Sequence, residues 1–193
     1  MRKTLLTSVI AVVVFTMVLG IGYPLLVTGV SQVAFPGRAD GSLIHHDGKV
    51  VGSTLLAQRF RGARWFHPRP SQTDYNPAGT FFSNNGPNQK ATKDFFDGQA
   101  AHYLAVEGPD NPDLTKADIP IDAVTTSASG VDPLISRDNA EIQAKRVARV
   151  RGLGLDRVQQ LIDDHTDDRF LGFVGESGVN VTELNLALDG ETR

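Results

Sequence analysis

The chain has 193 residues, with 19 basic and 22 acidic side chains, 40% hydrophobic residues and no cysteine. A chain of this length has room for about one folded domain, and its formal charge of −3 offers no excess of Lys and Arg for binding a phosphate backbone. Nucleic acid is therefore excluded as a partner. The absence of cysteine excludes disulfides, thiolate metal clusters and cysteine nucleophiles.

The N-terminal segment is apolar enough to form a membrane span. No charged residue occurs between Lys3 and Arg38, and residues 5–27 exceed the roughly 20 apolar residues that a helix needs to cross a bilayer. A cleaved signal peptide is the alternative, because a basic pair precedes the run and Gly20-Ile21-Gly22 offers small residues for cleavage. The apolar run continues past that point and exceeds a signal core of about 7 to 15 residues. This favours an uncleaved transmembrane anchor.

The charges beside the span predict its orientation. Arg2 and Lys3 precede it, and positive residues next to a span stay on the cytoplasmic side. We therefore predict residues 1–4 in the cytoplasm, a transmembrane helix over residues 5–27 and one extracytoplasmic domain over residues 28–193. The predicted fold class is α+β, in which the single membrane helix is followed by a mixed α/β domain.

Local signals in the first part of the outer domain predict a hairpin, a long loop and a helix. Asp47-Gly48 separates two β-type runs within residues 42–52, and an Asp-Gly pair accepts the positive φ angles of a two-residue hairpin turn. Residues 62–87 are rich in Pro, Gly, Asn and aromatic residues, which predicts an ordered but irregular loop. A helical period follows over residues 88–106. Its apolar face contains Phe96, Ala100, Tyr103 and Leu104.

The next segment is predicted to contain a short strand and a capped helix. The strand covers residues 121–124. Ser136 is placed to cap a helix, and Gly152 is placed to end it. The apolar face of this helix contains Ala140, Ala144, Val147 and Ala148.

A second helix should pack against that one. Asp156 and Gln159 have the spacing of a capping box at its start. Residues 179–188 combine a helix-start signal with partial alternation, and we favour a helix there. The apolar stripe of the second helix contains Val158, Leu161, Ile162 and His165.

Two serines make a membrane-anchored extracytoplasmic serine hydrolase the alternative function. Ser127 and Ser129 lie in a loop of small residues, but the glycine that a nucleophile elbow has two positions before its serine is absent. A triad with distant residues stays open, because triads are defined by geometry and not by order. The simpler interpretation is that these hydroxyls bond to backbone groups in a tight turn before a helix.

No metal or nucleotide motif is visible. Residues 45–47 and 163–168 contain histidine and aspartate, yet neither run has the ligand spacing of a known metal site. We predict no metal site and interpret the two runs as hairpin surface and a solvated helix end. The glycine-rich loops that bind phosphates are also missing from the sequence.

The remaining candidate residues are predicted to contact a ligand, a partner subunit or another part of the domain. Gln143 and Arg146 share one face of the first helix of the pair, where they either reach an anion or partner carbonyl or form a polar flank. Arg69 lies between two prolines that hold it rigidly, and we predict that it anchors a contact within the domain or to a partner. Thr16 and Gly20 form a small-xxx-small pair, which we predict docks on a partner's membrane helix.

A series of short blocks runs along the sequence. In chain order the blocks are Tyr23-Pro24-Leu25, Gly41-Ser42-Leu43-Ile44, Gly52-Ser53, Phe66 with Arg69-Pro70-Ser71, Val124-Thr125-Thr126-Ser127-Ala128-Ser129-Gly130-Val131-Asp132-Pro133, Ile135-Ser136, Ala140, Gln143, Arg146-Val147-Ala148, Leu161-Ile162, His165-Thr166, Val179-Asn180-Val181 and Glu183-Leu184-Asn185. In these blocks and their order the sequence resembles the C subunit of the Kdp-type potassium-transporting ATPase, over nearly the whole chain. One departure is that Phe81-Phe82 replaces two glycines of the usual pattern.

The resemblance implies a non-catalytic accessory subunit of an ATP-driven, high-affinity K⁺ uptake complex in the cell membrane. Its partners would be a K⁺-channel-like subunit and a P-type subunit that hydrolyses ATP, so that the complex and not this chain handles ATP and K⁺. The family is described as raising the affinity of the catalytic subunit for ATP, and its Gln-x-x-Arg helix, here Gln143 and Arg146, is suggested to contact the nucleotide. The predicted orientation places these two residues outside, across about 30 Å of hydrocarbon from cytoplasmic ATP. We therefore expect any effect on ATP use to be indirect.

Overall fold

The structure is a computed structural model that describes residues 2–79, 84–169 and 171–191. The chain divides into two compact units, residues 1–51 and residues 52–193, and each is described by itself. The Phe81-Phe82 departure from the family pattern lies outside the described residues.

The first unit is dominated by one long helix, α1 (Arg2–Ala34), which is apolar and long enough to cross a membrane. None of its side chains is buried within the protein, as expected of a helix whose apolar surface faces lipid or a partner. Its hydrogen bonding changes to the π pattern over Thr16–Gly22. Pro24 lies two residues after this segment and has no N–H to donate to the preceding turn, which gives a local cause for the interruption.

After α1 come one helical turn, α2 (Pro36–Ala39), and the predicted hairpin of β1 (Leu43–His46) and β2 (Lys49–Ser53). Asp47 and Gly48 have φ angles of 49° and 74°, so both central residues of the turn are left-handed. This conformation matches the twist of the two strands, and the hairpin prediction is confirmed.

The second unit combines helices with a small antiparallel sheet. The α-helices and strands of this unit in chain order are α3 (Lys90–Glu107), α4 (Ile121–Val124), β3 (Leu134–Ile135), α5 (Arg137–Arg151), α6 (Leu155–Asp164), β4 (Thr166–Asp167), β5 (Gly178–Asn180) and α7 (Val181–Glu191). The sheet has the order β3-β5-β4 and pairs Ile135 with Val179 and Thr166 with Val179.

The core forms where α5 and α6 pack on the sheet and on α7. Among the described residues of the irregular loop, Phe66 is the one that belongs to the buried core, and it is fully buried. The other members are Ile135, Ala140, Ala144, Val147, Ala148, Val158, Leu161, Ile162, Val179, Val181, Leu184 and Leu188. The small residues of α5 let α6 approach closely, and the predicted packing of this helix pair is confirmed.

The ends of α5 follow the sequence signals. The Ser136 hydroxyl accepts a hydrogen bond from the Asn139 N–H, as an N-cap does. Gly152 is left-handed at φ 68°, and the Leu153 N–H donates to the Ala148 carbonyl at 3.0 Å. This pattern is a Schellman motif, which satisfies carbonyls that the helix end would leave unpaired.

Three local predictions were wrong. Residues 121–124 form the helical turn α4 and not a strand, because the Thr125 N–H closes the turn onto the Ile121 carbonyl at 3.0 Å. α6 begins at Leu155 after Gly154 and has no side-chain cap, so Asp156 and Gln159 form no capping box. Residues 179–180 belong to β5, and the predicted C-terminal helix begins only at Val181.

The irregular loop before α3 has its backbone hydrogen bonds satisfied by side chains of distant helices. The Phe66 N–H donates to Asn185 Oδ1 at 2.9 Å, and Asn185 Nδ2 donates to the Phe66 carbonyl at 2.9 Å. In the segment before this loop, Thr182 Oγ1 of α7 and Asn180 Nδ2 of β5 likewise donate to the carbonyls of Leu56 and Thr54. The loop is therefore ordered by polar side chains and not by a strand partner.

Replacing Asn185 with alanine should destabilise the domain by about 2 to 5 kcal/mol, because each of two buried backbone groups at Phe66 loses its partner at about 1 to 3 kcal/mol. The control Asn88→Ala changes an exposed asparagine and should stay within about 0.5 kcal/mol. Denaturant unfolding followed by the fluorescence of Trp65, the single tryptophan, measures both. Equal stability of the two variants would show that the hydrogen bonds between Asn185 and Phe66 do not stabilise the domain.

Candidate functional site

Gln143 and Arg146 lie inside the protein and not on a polar helix flank, which corrects that interpretation. Their exposed fractions are 2% and 1%. A helix can bury such residues only if their polar atoms find partners. The surrounding contacts supply those partners.

Gln143 holds the backbone of the irregular loop. Its Oε1 accepts from the His67 N–H at 2.8 Å, and its Nε2 donates to the His67 carbonyl at 3.1 Å and to Asn139 Oδ1 at 2.9 Å. This arrangement repeats at His67 what Asn185 does at Phe66. Two amide side chains from two helices therefore fix two successive residues of the loop.

Arg146 forms the most buried ion pair of the described chain. Its Nε donates to both carboxylate oxygens of Glu107 at 3.0 Å, and the side chains are 2% and 1% exposed. Nη1 donates to the carbonyls of Ala63 and Trp65, and Nη2 donates to Gln143 Oε1 at 3.1 Å. Each of the three guanidinium nitrogens is thus engaged inside the domain.

Glu107 is the ion-pair partner of Arg146, and the sequence did not reveal this pairing. Burial raises its pKa, and the Arg146 guanidinium opposes that rise by hydrogen bonding to the carboxylate and by its charge. Glu107 lies at the C-terminal end of α3, 39 residues before Arg146, so no short-range spacing links them. Its place on the apolar face, four residues after Tyr103, is the only sequence signal for its burial.

His67, whose backbone is bonded to Gln143, is neutral at physiological pH. Burial, followed by the charge of Arg146, lowers its pKa to about 4. Its Nε2 lies 3.1 Å from the Gly62 carbonyl, which makes Nε2–H the donor in the neutral ring. The imidazole therefore contributes structure and no positive charge.

Arg69 anchors a contact within the domain. Its Nη1 donates to Asp132 Oδ2 at 3.2 Å, and its Nη2 donates to Thr125 Oγ1 and the Thr126 carbonyl at 3.2 Å. The loop around Arg69 is thereby joined to the hydroxyl-rich loop before β3. An additional contact of Arg69 with a partner stays a prediction.

Ser127 and Ser129 serve as turn residues within this hydroxyl-rich loop. Ser127 Oγ accepts from the Gly130 N–H at 3.0 Å, and Ser129 Oγ accepts from the Val131 N–H at 3.2 Å. Gly130 has φ 72°, and a Cβ there would lie 2.5 Å from Thr73 Oγ1, so glycine is required. In the hydrogen bonds of the described residues, no histidine is paired with either serine, and the hydrolase geometry is not supported.

The other predicted sites lie in the first unit. A Cβ built on Gly20 would lie 3.7 Å from Thr16 Cγ2, so Thr16 and Gly20 share one face of α1. His45 and His46 lie on the exposed hairpin. Across the described residues, no group of three or more His, Cys, Asp or Glu is arranged to hold a metal ion.

A half-open cleft of about 670 Å³ adjoins the buried network in the second unit. One wall is the loop from Arg59 to Pro70, and another is α3. The buried side of the cleft reaches Gln143, Arg146 and Glu107. Cavities of this size suit small molecules or a few residues of a peptide.

Replacing Arg146 with methionine should cost about 3 to 5 kcal/mol of unfolding free energy, because the Glu107 charge is then buried without a partner. The double variant Arg146→Met/Glu107→Met should recover much of that loss, since two apolar side chains need no charge compensation. Unfolding followed by Trp65 fluorescence gives both values.

The matched control for this experiment is Arg137→Ala. Arg137 donates to Glu141 at 2.9 Å in an exposed pair, and its removal should cost less than about 1 kcal/mol. A small effect of Arg146→Met, equal to that of the control, would show that the pair does not stabilise the fold.

Comparison with known proteins gives one family. The chain matches the family described as "KdpC: K+-transporting ATPase, c chain" over residues 5–190. Three similar proteins are each named "Potassium-transporting ATPase KdpC subunit". The protein of Mycobacterium tuberculosis strain H37Rv is 45% identical over 191 residues, covering 98% of this chain and 99% of that protein. Those of Koribacter versatilis and Rhodopseudomonas palustris are 44% and 42% identical, covering 98% and 100% of this chain and 96% and 100% of their own lengths.

Proposed function

Because the chain belongs to the KdpC family of K⁺-transporting ATPase subunits, we propose that it is a non-catalytic accessory subunit that stabilises assembly of the complex. The partners proposed are the K⁺-channel-like subunit and the P-type subunit that hydrolyses ATP. The observation that carries the non-catalytic role is the burial of Gln143 and Arg146, whose polar atoms are engaged in holding the fold.

This burial argues against direct contact between ATP and the Gln-x-x-Arg pair. To reach a phosphate, Arg146 would have to leave Glu107 and the carbonyls of Ala63 and Trp65. That exchange would strand a buried carboxylate, at a cost of about 3 to 5 kcal/mol. Any effect of the subunit on the ATP affinity of its partner is therefore proposed to be indirect, through contacts between subunits.

We propose the orientation in which Arg2 and Lys3 are cytoplasmic, α1 is an uncleaved anchor and the domain lies outside. The support is the positive charge before the span and the absence of charged residues up to Arg38. In this orientation the domain and cytoplasmic ATP are on opposite sides of the membrane, which agrees with an indirect effect.

Cysteine labelling tests the orientation. The chain has no cysteine, Lys145 is exposed on α5, and Thr4 lies at the predicted cytoplasmic end of α1. Lys145→Cys should react with an impermeant maleimide in intact spheroplasts, whereas Thr4→Cys should react only after the membrane is opened. Gln143→Cys is unsuitable, because that site is buried. The opposite pattern of labelling would reverse the proposed topology.

Copurification tests the assembly role. Detergent extraction of the tagged chain should recover the two larger subunits, and deletion of the chain should abolish growth at limiting K⁺. Recovery of the chain alone would instead indicate a free-standing module. Gly20→Leu should reduce recovery severalfold, because a large side chain keeps a neighbouring helix away from the Thr16 face.

The control for that substitution is Gly29→Leu, which makes the same change beyond the predicted span of residues 5–27. It should leave recovery close to that of the unchanged protein. If Gly20→Leu assembles and transports normally, the Thr16–Gly20 face is not the docking face, although the accessory role can still hold.

A further inference from the structure

The cleft beside the buried network has the composition of a protein–protein contact. Its walls include Phe60, Tyr75 and several prolines, and its lining includes four arginines, of which Arg146 is buried and the other three are exposed. No lysine occurs among the described residues that line it. Interfaces are enriched in aromatic residues and arginine and depleted in lysine, so this lining differs from an ordinary solvated surface.

The charges of the cleft leave one cation available. Arg146 is paired with Glu107, Arg149 with Asp110 and Arg59 with Asp74. Arg61 is exposed at the cleft and forms no ion pair with any of the described residues. The arginine that remains suits one carboxylate supplied from outside.

The interior of the cleft is suited to an apolar group. Pro68, Pro70 and Val106 contribute apolar surface, and His67 is neutral because burial and Arg146 lower its pKa to about 4. An apolar side chain entering here would displace water from the surface of these three residues. A carboxylate would meet Arg61 and not the interior.

We propose that this cleft binds an extended segment of a partner subunit, in which an Asp or Glu side chain pairs with Arg61 and a neighbouring apolar side chain packs into the cleft. The proposal rests on the proposed role as a subunit, since a partner must be present to supply the segment. A partner segment is favoured over a free organic acid because the lining has the arginine and aromatic composition of an interface.

Three variants test this site in the assembled complex. Arg61→Glu should weaken retention of the partner subunits by about 10- to 100-fold, since the introduced carboxylate repels the one that it faces. Gln99→Trp places a bulky side chain at the wall formed by α3 and should also weaken retention. Lys145→Glu makes the same charge reversal on an exposed site outside the cleft lining and should retain the partners.

Retention is measured by detergent pull-down over a series of chain concentrations, and unfolding followed by Trp65 fluorescence confirms that each variant is folded. Suppressors of Arg61→Glu selected at limiting K⁺ should replace an Asp or Glu of a partner with Lys or Arg. Normal retention of the partners by both Arg61→Glu and Gln99→Trp would overturn the proposal. Failure of the unchanged chain to copurify would instead refute the assembly role, so the two failures are distinguishable.

Discussion

The structure of the second unit depends on satisfying the backbone of a loop whose described residues form no strand or helix. Phe66 is fully buried, and its peptide groups are removed from water with it. Asn185 and Gln143 solve this by donating to and accepting from the loop at Phe66 and His67. Without these amides, burial of Phe66 would leave backbone groups unpaired, and each unpaired buried peptide group destabilises the fold by about 1 to 3 kcal/mol.

The same constraint explains the buried charge pair. Arg146 donates to two loop carbonyls as well as to Glu107, so its charge is a means of binding several backbone acceptors with one side chain. The carboxylate of Glu107 then compensates that charge where water is excluded. A residue pair that suggests ligand binding in the sequence is, in the folded domain, part of the scaffold. This burial supports the proposal that any effect of the chain on ATP use is indirect.

Sequence reasoning succeeded where the determining interactions are local. The Asp47-Gly48 turn, the Ser136 cap and the Gly152 end depend on the conformational preferences of one or two residues, and all three were predicted. It failed at Ile121–Val124, where the chain closes a helical turn and pairs with no strand of the described residues. It also failed at Gln143 and Arg146, whose burial depends on Glu107 and on a loop far away in the sequence. The family resemblance indicated the subunit, but periodicity alone could not show that polar residues of α5 point inward.

The pairing of Asn185 with the backbone of Phe66 also has a consequence for biosynthesis. It joins residues 119 positions apart. Closing a contact of such long range costs more chain entropy than closing a local one, which slows its formation. The peptide groups of Phe66 therefore cannot be satisfied in this way until the 119 residues that lead to Asn185 have been synthesised. Until then Phe66 is an exposed apolar residue, and exposed apolar surface favours aggregation of unfinished chains.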